Sequence, residues 1–313
     1  MRATRATVAN EDAPARMREL LSADGPAMLG PCVHDGLSAR LIEDAGFEFA
    51  FMSGFCVSAS VIGQPDTGLM SYAEVETTLR NATAAAPSLP IIADGDTGYG
   101  NAVNVKRTTK GFARAGAAGI LIEDQVWPKA CGHTRGRRVV ERAEAVAWVR
   151  AAVDASREPG GRGIVVVART DARQAVSADE AFARAEAFAD AGADVLFIDA
   201  LASVEEMERF CRIAPGVPKM ANMLEGGGKT PLLDGAALTA MGFRIIAYPL
   251  SLLGVTVRAM QAQLAVIRDT NGDPSAVSSS LPSFEELQSA VGFPEYYAEA
   301  ARYATAADDG TAP

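Results

Sequence analysis

Two carboxylates in a glycine-rich turn are the sharpest sign of chemistry in this chain. In Ile91-Ile92-Ala93-Asp94-Gly95-Asp96-Thr97-Gly98-Tyr99-Gly100, a short apolar stretch delivers Asp94 and Asp96 into a turn too rich in glycine to shield them. Glu123 ends a second apolar stretch, Gly119-Ile120-Leu121-Ile122. Hard oxygen donors of this kind suit Mg2+, with Mn2+ as its substitute, because Mg2+ takes few carboxylates and keeps several waters. The competing reading is that Asp94 or Asp96 only caps the helix that follows.

Next comes Asp124-Gln125-Val126-Trp127-Pro128-Lys129-Ala130-Cys131-Gly132-His133-Thr134-Arg135-Gly136-Arg137-Arg138, which gathers a thiol, an imidazole, a lysine and three arginines. A cationic neighbourhood lowers a thiol's pKa, so Cys131 can shuttle a proton near neutral pH. A solvated basic loop that happens to hold a cysteine accounts for the same residues. Cysteine-nucleophile hydrolysis with His133 as base is weaker, because residues two apart on a loop need not face each other. Arg169 ends the apolar run Val165-Val166-Val167-Ala168 and is a natural bidentate clamp for a substrate carboxylate, unless Asp171 holds it in an ion pair. Asn222-Met223-Leu224-Glu225-Gly226-Gly227-Gly228-Lys229-Thr230-Pro231 has the glycine content of a loop whose backbone approaches a ligand, or of a plain flexible connection. Cys32, Cys56 and Cys211 have no comparable setting and read as small core residues. His34 is left outside the catalytic set.

An internal echo shows which elements must position these residues. A helix end, a glycine stop and a short apolar run recur at Ala45-Gly46, Ala115-Gly116, Ala191-Gly192 and, more loosely, Met241-Gly242. The glycine closes a helix with φ > 0, and the run after it is too short for a helix but right for a buried parallel strand. Further strands are expected at 27–33, 90–94, 163–168 and 217–222. Helices are expected at 35–45, 72–85, 102–115, 142–156, 177–191, 203–214 and 250–268. Eight strands alternating with helices predict an α/β fold, a closed (β/α)8 barrel of the TIM type, and no GxGxxG follows the first strand to support a dinucleotide fold. In such barrels the working residues stand at the carboxyl ends of strands. That rule selects Ser53, Asp94 with Asp96, Glu123, Arg169, Asp199 and Asn222.

The domain plan is a flexible tail at 1–14, a barrel at 15–268, a linker and C-terminal helices at 269–304, and a disordered tail at 305–313. A formal charge of −10 disfavours nucleic acid and anionic lipid as partners, while a metal and a few arginines can still draw a small anionic substrate. Four scattered cysteines without CxxC spacing read as free thiols, and no apolar run approaches a membrane span. A soluble cytoplasmic protein is expected.

Taken in order, Ser53-Gly54, Gly63-Gln64-Pro65-Asp66, the Asp94 to Gly100 run, Glu123-Asp124-Gln125, Lys129 to His133, Arg169-Thr170-Asp171 and Asn222 to Pro231 resemble the isocitrate lyase and phosphoenolpyruvate mutase superfamily. The resemblance covers most of the barrel, from about Pro31 to Gly254, and its long motifs are specific. It implies Mg2+ at Asp94, Asp96 and Glu123, partly through water. It also implies a substrate oxyacid gripped by Ser53, Gly54, Asp66, Arg169, Asn222 and Glu225. A gating loop carries Lys129, Cys131 and His133, which with Arg169 form the catalytic set. The same resemblance implies a homotetramer in which the eighth helix is exchanged between subunits. The Lys-x-Cys-Gly-His signature marks the lyase branches, nearest to 2-methylisocitrate and 2,3-dimethylmalate lyases, and carboxyvinyl-carboxyphosphonate phosphorylmutase shares it. The expected reaction is Mg2+-dependent cleavage of a 2-hydroxy di- or tricarboxylate to a 2-oxoacid and a carboxylate, with Cys131 as general acid. Phosphonate chemistry and oxaloacetate hydrolysis or decarboxylation are the alternatives. Two departures from the family pattern are an extra glycine at 226–228 and Asp199 where relatives usually have glutamate.

Overall fold

The structure is a computed structural model that describes residues 12–131 and 136–304. Eight parallel strands close into a barrel: β1 (Met28–Val33), β2 (Ala50–Met52), β3 (Ile91–Asp94), β4 (Gly119–Glu123), β5 (Val165–Thr170), β6 (Val195–Ile198), β7 (Lys219–Asn222) and β8 (Ile245–Tyr248). β1 pairs with both β2 and β8, which shuts the ring. The echo seen in the sequence is the repeating joint of this ring. Gly46, Gly116, Gly192 and Gly242 all have φ between 83° and 112°, where a side chain would strain the backbone, and each ends a helix just before a strand.

Alternation along the strands divides the core in two. Val165 and Val167 of β5 point into the barrel with Ile92, Leu121, Phe197 and Met220, whereas Val166 and Ala168 face the surrounding helices with Ile91, Ala93 and Ile122. The helix Ala13–Ser22 was not anticipated. It sends Ala13 and Met17 into the inner cluster, and fully burying a Met17-sized side chain stabilises by about 1.5–3 kcal/mol. Helix Gly235–Met241 and the short turns after β2 (Gly54–Val57, Ser58–Ile62) were also missed, being too brief to show a helical period.

By contacts the chain divides into two compact units, Met1–Gly254 and Val255–Pro313. The second contains the greater part of helix Ser251–Asp269, then helices Pro274–Ser278, Phe284–Val291 and Phe293–Ala301, the first of these inside the stretch expected to be a linker. Val255, Met260, Leu264, Phe284 and Tyr296 are all exposed there. Among the described residues no helix is long and apolar enough to cross a membrane.

Candidate active site

A cavity of about 130 Å³ sits at the carboxyl ends of the strands. Ser53 after β2, Asp94 at the end of β3, Arg169 near the end of β5, Asp199 after β6 and Asn222 at the end of β7 all line it, together with Asp66 and Cys131 from the loops after β2 and β4. Its remaining wall is apolar and includes Phe51, Phe55, Phe197, Met220 and Leu224.

Asp94 and Asp96 do not cap a helix. Asn101 does that, accepting from the backbone N–H groups of Val103 and Asn104. Asp94 instead accepts from the N–H of Gly54 at 3.2 Å and from that of Asp96 at 3.0 Å. A side chain at position 54 would place its Cβ 2.9 Å from Asp94 Oδ2, so only glycine lets the β2 loop approach this carboxylate. Gly95 N–H bonds Leu121 O, and Glu123 N–H bonds Asp96 O, so the β3 turn is sewn to β4.

Lys129 is buried against two of these carboxylates, bonding Asp96 and lying 2.8 Å from Asp66 Oδ1. Burial opposes its charge, but Asp96, Asp94, Asp66 and Glu123 together outweigh burial and hold the ammonium well above the ordinary lysine range. Burial likewise pushes the Asp96 carboxyl up to about 6; Lys129 works against the rise and Asp94 adds to it. Glu123 is lifted well above the carboxylate range by burial, against the pull of Arg169.

On the opposite side, Arg169 Nη2 donates to Asp171 at 2.9 Å and to Asp199 at 3.4 Å, and Nε lies 3.3 Å from Glu123 Oε2. The ion pair with Asp171 and exposure to the cavity are therefore both true of Arg169. Arg137 joins the group, bonding Asp171 and donating to Asp199 Oδ2 at 2.8 Å. In the sequence Arg137 is one of three loop arginines, Arg135, Arg137 and Arg138, with no local pattern to set it apart. In the structure it lies two residues before Val139, which bridges back to Gln125 and closes the base of the loop.

Cys131 is half-buried at the cavity, while Cys32 and Cys56 are buried and Cys211 is half-buried away from it. Glu225 does not line the cavity. Its carboxylate accepts from the N–H groups of Leu250 and Ser251 at 3.0 and 3.1 Å. His133 lies outside the described residues.

Whether these residues suit a divalent cation can be judged from charge and from unmet bonding. Among the described residues, six carboxylates (Asp66, Asp94, Asp96, Glu123, Asp171, Asp199) share the mouth with three cations (Lys129, Arg137, Arg169), an excess of negative charge. Glu123 Oε1 is buried without a hydrogen-bond partner among the described residues. Both features fit a cation. Among the described residues, however, no three His, Cys, Asp or Glu side chains converge as direct ligands, so the expected triad of Asp94, Asp96 and Glu123 does not form a closed cage. Mg2+ held largely through its own waters is compatible with that spacing.

A family model described as phosphoenolpyruvate phosphomutase matches residues 17–268. The chain is 41% identical over 292 residues to the 2,3-dimethylmalate lyase of Eubacterium barkeri, covering 93% of this chain and 98% of that one. It is 39% identical over 292 residues to the chloroplastic carboxyvinyl-carboxyphosphonate phosphorylmutase of Arabidopsis thaliana, covering 92% and 84%. A crystal structure of 2,3-dimethylmalate lyase is similar with a TM-score of 0.89 at 36% identity, covering 96% of this chain and 98% of that one. The chain therefore belongs to the isocitrate lyase/phosphoenolpyruvate mutase superfamily and is an enzyme of its lyase/mutase type.

Proposed function

We propose that this enzyme is a Mg2+-dependent carbon-carbon lyase that cleaves a 2-hydroxy di- or tricarboxylate, of the 2-methylisocitrate or 2-alkylmalate type, to a 2-oxoacid and a carboxylate. The observation that carries the reading is the composition of one cavity. Cys131, Arg169 and Asn222 share it with an apolar wall of Phe51, Phe55, Phe197 and Leu224. A proton donor, a carboxylate clamp and room for an alkyl substituent are what such a cleavage requires. The similarity to 2,3-dimethylmalate lyase supports the same class.

Asp94, Asp96 and Glu123 would hold the cation through waters. When bound, Mg2+ would polarise the oxygens at C2 and lower the pKa of the C2 hydroxyl. Arg169 binds a substrate carboxylate, and Asn222 and Ser53 present an amide and a hydroxyl to its oxygens. As a general base accepts the proton of the C2 hydroxyl, the freed oxygen pair forms the carbonyl of the 2-oxoacid, the C2–C3 bond breaks, and its electron pair remains on C3 beside a carboxylate. Arg169 stabilises that charge. The Cys131 thiol then gives its proton to C3, and the apolar wall keeps water from doing so first. Lys129, with His133 of the same motif, completes the catalytic set, and Lys129 holds the negative charge of Asp66 and Asp96. Mn2+ would replace Mg2+. A cytoplasmic homotetramer, with the C-terminal segment exchanged between subunits, fits the apolar side chains exposed beyond residue 254.

The second reading is a phosphorylmutase, favoured by the similarity to the Arabidopsis enzyme, which would use the same arginine on a phosphorus acid. One screen separates them. With Mg2+ present, 2-methylisocitrate, 2,3-dimethylmalate, other 2-alkylmalates, oxaloacetate and phosphonopyruvate are offered in turn. Release of a 2-oxoacid from an alkylmalate or from 2-methylisocitrate is the expected result. Turnover confined to phosphonates, followed by phosphorus NMR, or confined to oxaloacetate, would overturn it.

A further inference from the structure

Arg137 is the most heavily engaged side chain at the cavity mouth that neither a strand end nor the family resemblance accounts for. Its side chain is 1% exposed, and its guanidinium bonds Asp171, donates to Asp199 Oδ2 at 2.8 Å and reaches the carbonyl oxygen of Cys131 at 3.5 Å. Asp171 and Asp199 are the same two carboxylates that Arg169 contacts. Two arginines thus share two buried acids, and of the pair only Arg169 lines the cavity.

This sharing matters in two ways. Without Arg137, Arg169 alone would face Glu123, Asp171 and Asp199, and buried carboxylates left without a counter-charge are costly enough to draw its N–H groups away from the cavity. Arg137 supplies the second positive charge and leaves Arg169 able to turn toward a ligand. Cys131, moreover, lies in the chain between two buried cationic anchors. Lys129 is fastened to Asp66 and Asp96 on the β2 and β3 side, and Arg137 to Asp171 and Asp199 on the β5 and β6 side. A guanidinium can span two carboxylates and a carbonyl at once, whereas an ammonium is a point charge on a flexible stem.

We propose that Arg137 is a positioning residue that both frees Arg169 to bind a substrate carboxylate and fixes the place of the Cys131 thiol. The inference rests on reading the cavity as an oxyacid site, and its test does not depend on knowing the substrate. Arg137→Lys keeps the charge and loses the fork; Arg137→Met loses both. For each full-length variant, oxalate binding in the presence of Mg2+ is measured by calorimetry. The rate at which iodoacetamide labels Cys131 is followed at pH 7.5 by peptide mass spectrometry.

Arg137→Lys is expected to bind oxalate nearly as the parent does, yet to alkylate at Cys131 roughly tenfold faster. Arg137→Met is expected to weaken oxalate by roughly tenfold as well. With a substrate in hand, Arg137→Lys should lose on the order of 100-fold in kcat with KM little changed. Parent-like alkylation and kcat in Arg137→Lys would overturn the proposal even if Arg137→Met failed to fold. A parent enzyme that binds oxalate but turns over no 2-hydroxy acid would sink the lyase reading alone, whereas a parent that ignores oxalate would sink the oxyacid site and the Arg169 half of the proposal with it.

Discussion

The ammonium of Lys129 bonds the carboxylate of Asp96, so the loop that carries Cys131 is fastened to the turn that ends β3. Both partners are buried, and Asp66 adds a third member at 2.8 Å. Lys129→Met leaves the buried Asp96 and the half-buried Asp66 without their counter-charge, and breaking a buried pair in this way typically destabilises by about 3–5 kcal/mol. The same change adds to the negative excess available to a cation. Melting curves with and without Mg2+ should show a lower Tm for the variant and a larger rise on adding Mg2+ than in the parent. Equal rises would mean that Lys129 and the cation do not answer to the same carboxylates.

Gly54 makes a narrower prediction. Its backbone lies within a helical turn that alanine also adopts, so the fold should tolerate Gly54→Ala. The new Cβ, however, would stand 2.9 Å from Asp94 Oδ2 and 3.4 Å from Lys129 Nζ. Asp94 must shift to relieve that contact, and since a displacement of about 1 Å at a reaction centre costs on the order of 100-fold in rate, this smaller one should cost less than that. Circular dichroism should match the parent while kcat/KM falls. Unchanged kcat/KM would show that the position of Asp94 is not critical.

The barrel was legible because its signals are local. A glycine with φ > 0 followed by a short apolar run needs no knowledge of distant residues, and the strand-end rule then brought Ser53, Asp94, Arg169, Asp199 and Asn222 to one cavity. Pairings across the mouth were not legible. Arg137 meets Asp171 and Asp199 at separations of 34 and 62 residues, and no periodicity encodes such a meeting. Glu225 shows the same limit in reverse. The resemblance implies a substrate contact for it, while its carboxylate accepts from Leu250 and Ser251 at the start of the helix Ser251–Asp269, partners 25 and 26 residues away that no local pattern encodes.

The four thiols should separate by pH. Burial pushes Cys56 up to about 12 and Cys211 up to about 11, and lifts Cys32 well above the ordinary thiol range. Only the thiolate reacts, and a thiol of pKa 11 is ionised to roughly one part in a thousand at pH 8. Iodoacetamide at pH 8 should therefore label Cys131 alone in the folded protein. Raising the pH increases every thiolate fraction and should bring in Cys211 next, since it is less buried than Cys32 or Cys56. Early labelling of Cys32 or Cys56 would contradict their place in the packed core.

Metal removal tests the negative excess at the mouth directly. Exhaustive chelation should abolish turnover, with recovery on adding Mg2+ and, to a degree, Mn2+. Calorimetry of Mg2+ binding supplies a readout that needs no substrate. Asp94→Asn and Glu123→Gln should each weaken binding by roughly tenfold or more, as loss of a group that orients metal-bound water does. Turnover undiminished by chelation would count against the assignment of Asp94, Asp96 and Glu123.

Cys131→Ser is the most direct test of the proton donor. Serine is smaller and carries a hydroxyl in place of the thiol, so the cavity and the position of Arg169 in it should survive, and oxalate affinity should stay within a few-fold. A hydroxyl is a far weaker acid than a thiol, so protonation of the carbanion should slow. General acid catalysis by a positioned side chain contributes typically ~10²–10⁴-fold, and kcat should fall within that range while KM changes little. Solvent deuterium would enter the carboxylate product in both enzymes, since the thiol exchanges with water, and a stereochemically mixed label in the serine variant would show that water had replaced the thiol as donor. Full cleavage activity in Cys131→Ser, with an unmixed label, would remove Cys131 from the reaction and leave its role to a neighbour on the same loop.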